Sequence, residues 1–393
     1  MMREAFVVLV VCALLFTTVE AQRGIGDNIK DFINRILNRE EGEEEITAIN
    51  DNMEQYQITE PADLLNEDGT LKQAGWAKDL LLRYDRQKIK APKIRIKEWD
   101  YYCILSESYG AAFTISDNGY LGFISVTLFD FKEPKEITKT TMTLLPLGSF
   151  NMPPTSKEGD VVFQNKDISL KFLRRQEQRI ISVDIPSFSN NDSLSGSIIL
   201  HQPPSLESMA IATPFPESKR AFYYNQKINC MPAEGELALG EQKFLFQPKN
   251  SFGVLDWGRG VWPYTNTWYW GSASGMVENK SFGFNIGYGF GDTSRATENM
   301  LFYEGKAHKL GEVEFHIPPD SYLKPWTFTS NDSRFEMTFQ PIIDRHSDTN
   351  ALILRSNQHQ VFGYFSGKAI LDNGQEIEVQ NLLGFAEKVY NRW

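Results

Sequence analysis

Cysteine is scarce in this chain, with three among 393 residues, and Cys12 lies in the extreme N-terminal segment. Only Cys103 and Cys230 are left to the body of the protein, so a fold stapled by a disulfide framework is excluded. The two could form one disulfide or stand as two buried thiols, since spacing alone does not show that they meet. No GxxxxGK[ST] phosphate loop is present, and Gly287-Tyr-Gly-Phe-Gly291 sits inside a strand pattern with no lysine or helix after it. Gly271-Ser-Ala-Ser-Gly275 has Ala273 where a nucleophile elbow needs serine, which removes serine-hydrolase chemistry. The net charge is −11, with no basic stripe to interrupt it, so nucleic acid is not an expected partner. Glu312, Glu314 and His316 alternate with apolar residues and read as a wet strand face, while Asp344, His346 and Asp348 read as a polar loop between strands. Neither set has the convergent ligands of a metal centre. No metal and no cofactor are expected.

Long apolar runs are missing after residue 19. The one candidate, Ala5–Val19, is short for a membrane span, and Val19-Glu20-Ala21 supplies small residues for cleavage after Ala21. Residues 1–21 therefore read as a secretory signal, giving a secreted or lumenal protein with no transmembrane segment once it is cleaved. On that reading Asn191, Asn279 and Asn331, each in an Asn-x-Ser sequon, become possible N-glycosylation sites. Residues 22–57 form an appendage. Ile25, Ile29, Phe32, Ile33 and Ile36 fall at helical spacing, and the acidic run to Glu45 reads as solvated linker.

What the chain does have is aromatic residues, 13% of the total within a hydrophobic content of 41%, enough for a large core. Beyond residue 58 the pattern is β. Asp117-Asn118-Gly119 and Asp372-Asn373-Gly374 each divide two strand-like runs, and Asn-Gly favours the positive-φ backbone of a tight hairpin. More than a dozen strands are too many for one small barrel. The expectation is an all-β protein of two packed antiparallel β-barrels, 58–230 and 231–393, with Met231–Gly235 as the hinge.

Residues 253–287 hold four of the eight tryptophans, with Asp256 and Arg259 among them. An acid and a guanidinium inside an aromatic cluster must be paired or used. Either Arg259 pairs with Asp256 and stacks on a tryptophan to plug a barrel, or the rings line a ligand cavity with a few polar groups. Trp268 and Trp270 share one strand face, Tyr269 takes the other, and Asn285 and Tyr288 lie on the return strand. On Phe222–Asn229, Tyr224 points one way; Tyr223, Asn225, Lys227 and Asn229 point the other, a face read as solvent-exposed.

At these residues the chain resembles a known family. Ile96-Lys-Glu-Trp-Asp-Tyr-Tyr102, Ala221-Phe-Tyr-Tyr-Asn-Gln-Lys-Ile-Asn-Cys230, Phe252-Gly-Val-Leu-Asp-Trp-Gly-Arg-Gly-Val-Trp-Pro-Tyr264 and Leu383-Gly-Phe-Ala-Glu-Lys388 look like DUF2804, from about residue 58 to the end. More distantly, Leu255-Asp-Trp-Gly258 followed by Trp268-Tyr-Trp270 is similar to a motif of carotenoid 1,2-hydratase-like proteins. That resemblance implies two lipocalin-like barrels and matches Asp256 to an acid that protonates an alkene, although Trp257 stands where the motif has histidine. Two functions are expected. One is a carrier for an apolar ligand (isoprenoid, sterol or acyl chain) lined by Trp257, Trp262, Tyr264, Trp268, Trp270, Asn285, Tyr288 and Tyr224. The other is an enzyme of alkene hydration, isomerisation or cyclisation, with Asp256 as general acid and Arg259 beside it.

Overall fold

A computed structural model of the chain describes residues 55–351 and 354–392. The signal segment, the amphipathic helix and nearly all of the acidic linker fall outside them. The described residues form 24 strands and two short 3-10 helices, Arg86–Lys88 and Lys93–Arg95. The strands make two large antiparallel sheets of 13 and 9 strands, with a small parallel pair, Ala62–Asp63 and Leu82–Arg83, beside them. No helix among them is long and apolar enough to cross a membrane.

Each sheet curls. In the first, strand Gln178–Ser189 comes back against the edge strand Lys135–Leu144; in the second, Lys280–Tyr288 approaches Val313–His316. This is the expected all-β class of two lipocalin-like barrels packed together. The anticipated hairpins form in register. Tyr109–Asp117 pairs with Leu121–Asp130 around the first Asn-Gly turn, and Leu354–Ile370 pairs with Glu376–Arg392 around the second. Gly119 and Gly374 take φ of +79° and +83°, values that suit glycine.

The hinge placed at Met231–Gly235 is not where the chain changes sheet. Those residues lie inside one long strand, Phe222–Leu239, interrupted by a bulge between Ile228 and Met231 with Cys230 at φ +59°. A bulge bends a strand and strengthens its twist. Before it the strand pairs with Met209–Pro214, and after it with Asp192–His201 and Gln242–Phe246. The chain stays with the first sheet through Ser251–Val261 and enters the second at Thr265, across Trp262-Pro263-Tyr264. Proline cannot donate to a ladder, so a strand ends readily there.

The larger hydrophobic core belongs to both sheets. Trp257, Tyr223 and Phe113 from the first share it with Trp270, Met300, Phe362 and Phe385 from the second. A smaller core, built on Phe284, Phe328, Phe339 and Phe365, fills the second barrel. Cys103 and Cys230 are both buried and free, so the disulfide reading is corrected. Burial pushes each thiol up to about 12, with Tyr101 bonding to Cys103 and Ser274 to Cys230.

Candidate functional site

Strand Ser251–Val261 lies between Ile96–Ser106 and Phe222–Leu239 at the centre of the first sheet. Its side chains alternate, so Asp256 and Arg259 face opposite ways. The expected Asp256–Arg259 pair therefore does not form. Arg259 turns into the first barrel, where it pairs with Asp100 at 3.0 Å and lies 4.3 Å from the Trp257 ring. Its Nη atoms also donate to the carbonyls of Trp99, Gly258 and Pro153 at 2.8–2.9 Å, while its buried Nε has no partner among the described residues. Trp257 is enclosed on the same side by Tyr84 and by Tyr224, whose hydroxyl bonds the Leu82 backbone. Arg259, Trp257 and Tyr224 thus form a barrel plug. The anticipated stacking of arginine on tryptophan is present, with Asp100 as the acid.

Asp256 faces the second sheet. Its carboxylate accepts from Lys227 Nζ at 2.9 Å, Asn225 Nδ2 at 2.6 Å and Trp99 Nε1 at 3.1 Å. Three donors, one of them cationic, suit an ionised carboxylate. Lys227 is 1% exposed, and its ammonium lies 3.8 Å from the Trp270 ring centroid. This corrects the reading of Asn225, Lys227 and Asn229 as a solvent face. The second sheet covers that face, and Asn229 bonds Ser272 and the Phe284 carbonyl across the seam.

Around the ion pair the contacts close into a ring. Trp99 meets Trp262, and Trp262 meets Trp268. Trp268 Nε1 donates to Glu387 Oε1 at 2.9 Å, and Gln360 Nε2 donates to Glu387 Oε2 at 3.0 Å. Gln360 bonds Tyr101, whose ring packs edge-on against Trp270 and so returns to Lys227. Asp256, Glu387 and Gln360 are each 7% exposed and Tyr101 8%, with Trp99 and Trp268 half-buried. The ring therefore meets solvent chiefly at the half-buried Trp99 and Trp268. Trp262, Trp268, Trp270 and Asn285 meet here as expected; Asn285 accepts from Trp270 Nε1 at 2.7 Å. Tyr288 stacks on Tyr269 at the second barrel, and Tyr264 is half-buried at the crossing between sheets.

Two acids complete the centre, and neither stood out in the sequence. Glu298 lies in the loop before Met300–Tyr303, 1% exposed, with Asn285 beside it and neither oxygen in a well-formed hydrogen bond among the described residues. A Cβ on Gly287 would lie 2.2 Å from its Oε1, so the glycine makes room for it. Burial raises both carboxyls to about 7. For Glu298 the nearby Lys227 opposes the shift and Asp256 adds to it; for Glu387 the Trp268 hydrogen bond and Lys227 oppose it. Tyr223, stacked between Trp99 and Phe290, has a buried hydroxyl without a partner, and burial together with these acids raises it well above the usual phenol range.

The ligand cavity expected inside the aromatic cluster is absent from the two best-formed clefts. One is lined by Ala77, Leu81, Ala212 and Tyr224 and the other by Asp100, Tyr102, Arg174 and Arg179, and each holds about 10 Å³, the room of one water. Aromatic edges and faces fill the space between the sheets instead. Among the described residues no three His, Cys, Asp or Glu side chains converge to hold a metal.

The model of DUF2804, a domain of unknown function, matches residues 55–393. The chain belongs to the DUF2804 family. Among solved structures, this DUF2804 protein is similar to one assigned as AttH from Nitrosomonas europaea, at 14% identity over 76% of this chain and 93% of that one, TM-score 0.48. Kievitone hydratase from Nectria haematococca is similar at 11% identity over 76% and 88%, also with TM-score 0.48. CghA in complex with Sch210972 is similar at 9% identity over 84% and 97%, TM-score 0.40. No curated protein matches the sequence.

Proposed function

We propose that the protein is an acid–base enzyme acting on a largely apolar, unsaturated molecule that docks where the ring meets solvent, beside Trp99 and Trp268. Glu387 is the proton donor. The observation that carries the reading is its placement: a carboxyl held by Trp268 and Gln360 beside the half-buried Trp268 indole, and raised by burial to about 7. A general acid works best with a pKa near the operating pH. The surrounding ring faces favour positive charge developing on the substrate, and the fixed Asp256 carboxylate adds to that field. Asp256, the acid anticipated from the sequence, is committed to Lys227 and serves as the fixed charge. The carrier reading is the weaker one, because a long hydrocarbon needs an enclosed apolar volume. Export through the N-terminal segment belongs to the same proposal.

The test follows deuterium from D2O into a panel of apolar alkenes, terpene and polyene, by mass spectrometry. Incorporation by the wild type and its loss in Glu387→Gln, with circular dichroism unchanged, is the expected result. A wild type that exchanges nothing across the panel and purifies with stoichiometric lipid would overturn it in favour of a carrier.

A further inference from the structure

A second polar cleft opens from the first barrel, on the opposite side of strand Ser251–Val261 from the Lys227–Asp256 centre. Strands Ser169–Arg175 and Gln178–Ser189 form a hairpin in which Arg174 stands directly across from Arg179. Alternation places both on the side of Leu170, Phe172, Ile181 and Val183, the face turned to the core. Like charges directly opposite on a ladder are destabilising. Desolvation, then repulsion from Arg179, holds the Arg174 guanidinium below its usual range.

No carboxylate lies within ion-pair distance of either guanidinium among the described residues. Arg179 is 4% exposed, yet it donates only to neutral oxygens: Gln202 Oε1 at 2.8 Å, the Tyr102 hydroxyl at 3.3 Å and the Ser156 carbonyl at 2.8 Å. Arg174 donates to the Gln178 carbonyl at 3.0 Å, and its buried Nε has no partner. The neighbouring acids are committed elsewhere, Asp100 to Arg259 at 3.0 Å and Asp160 to Arg175 at 2.7 Å. Arg174 and Arg179 therefore stand side by side with no carboxylate in ion-pair contact among the described residues, within a chain of net charge −11. The cleft between them is lined also by Thr155, Ser156, Tyr102 and the Arg259-paired Asp100, and its cavity is about 10 Å³.

We propose that this cleft is an anion site that takes a small oxyanion or the carboxylate head of a larger ligand between Arg174 and Arg179. One anionic oxygen replaces the single water the cavity can hold. The others reach the mouth, where Arg174 is half-exposed. Guanidinium forks match carboxylate and phosphate geometry, and an anion removes the like-charge repulsion of the bare pair. The site is independent of the acid–base reading above.

Isothermal titration calorimetry with acetate, inorganic phosphate, dodecanoate and dodecanol tests it, on the wild type and on Arg174→Gln. Arg174 is at the mouth, so this variant is expected to fold, which its urea unfolding midpoint checks. At least one of the anions is expected to bind one-to-one, roughly tenfold or more weakly in Arg174→Gln, the loss of a charge-assisted hydrogen bond. Binding of acetate or phosphate marks a free anion as the ligand; binding of dodecanoate alone marks the carboxylate of an acyl chain. No heat from any anion with the folded wild type, unchanged affinity in Arg174→Gln, or dodecanol binding as tightly as dodecanoate would each overturn the proposal.

Discussion

Lys227 and Asp256 pair between the two sheets, and removing Lys227 leaves the Asp256 carboxylate with only the neutral donors Asn225 and Trp99. Breaking a buried pair costs on the order of 3–5 kcal/mol, and Lys227→Met is expected to destabilise on that scale. The double variant Lys227→Met/Asp256→Asn should lose clearly less than the sum of its singles in urea unfolding, because the second change removes a charge already left alone. Glu298 gives a pH signature. Its folded pKa of about 7 lies above the ordinary 4.5, so between those values the unfolded chain releases a proton that the folded chain keeps. Stability is then full below about 4.5 and falls as pH rises towards 7. Glu387 contributes a fall over the same window, so Glu298→Gln should lessen the fall without abolishing it, matching the wild type at pH 5 and exceeding it at pH 8 in urea midpoint; parallel curves would refute the assignment. These acids were hard to read beforehand. Glu298 sits in a loop without pattern, and Glu387 stands far in sequence from Asp256, within a motif whose resemblance carried no role. Lys227 was legible as a residue and misread as a position: strand alternation gives the face, but whether that face is wet depends on a partner sheet formed by later residues.

At the level of the strand, Gly258 sets how closely Trp99 can lie over Ser251–Val261. A Cβ there would come within 2.1 Å of the Trp99 indole, and the indole must shift. Gly258→Ala should therefore lose the Trp99–Asp256 hydrogen bond and about 1–3 kcal/mol of stability through overpacking, seen as a changed tryptophan emission and a lower urea midpoint. Hairpins were the most legible elements, since Asn118-Gly119 and Asn373-Gly374 carry their own backbone requirement. The bulge at Cys230 was not. A non-glycine residue at positive φ leaves no mark in composition, and the Met-Pro-Ala-Glu-Gly run after it looks like a linker while behaving as a bent strand. Burial of both thiols predicts that neither Cys103 nor Cys230 reacts with iodoacetamide at pH 8 until the chain unfolds, and that mass spectrometry finds both reduced.

For the molecule as a whole, the larger core draws on both sheets, so the barrels should melt together. Calorimetry is expected to show one transition with equal calorimetric and van 't Hoff enthalpies; two resolved transitions would contradict the shared core. The β class and the pair of barrels were readable from strand number and turn chemistry, whereas their division was not, because the dividing point is set by which neighbours a strand finds. Lys227 is 1% exposed beneath the second sheet, so anything that reaches it must part the two sheets, and amide exchange along Asn225–Asn229 would report how often that seam opens.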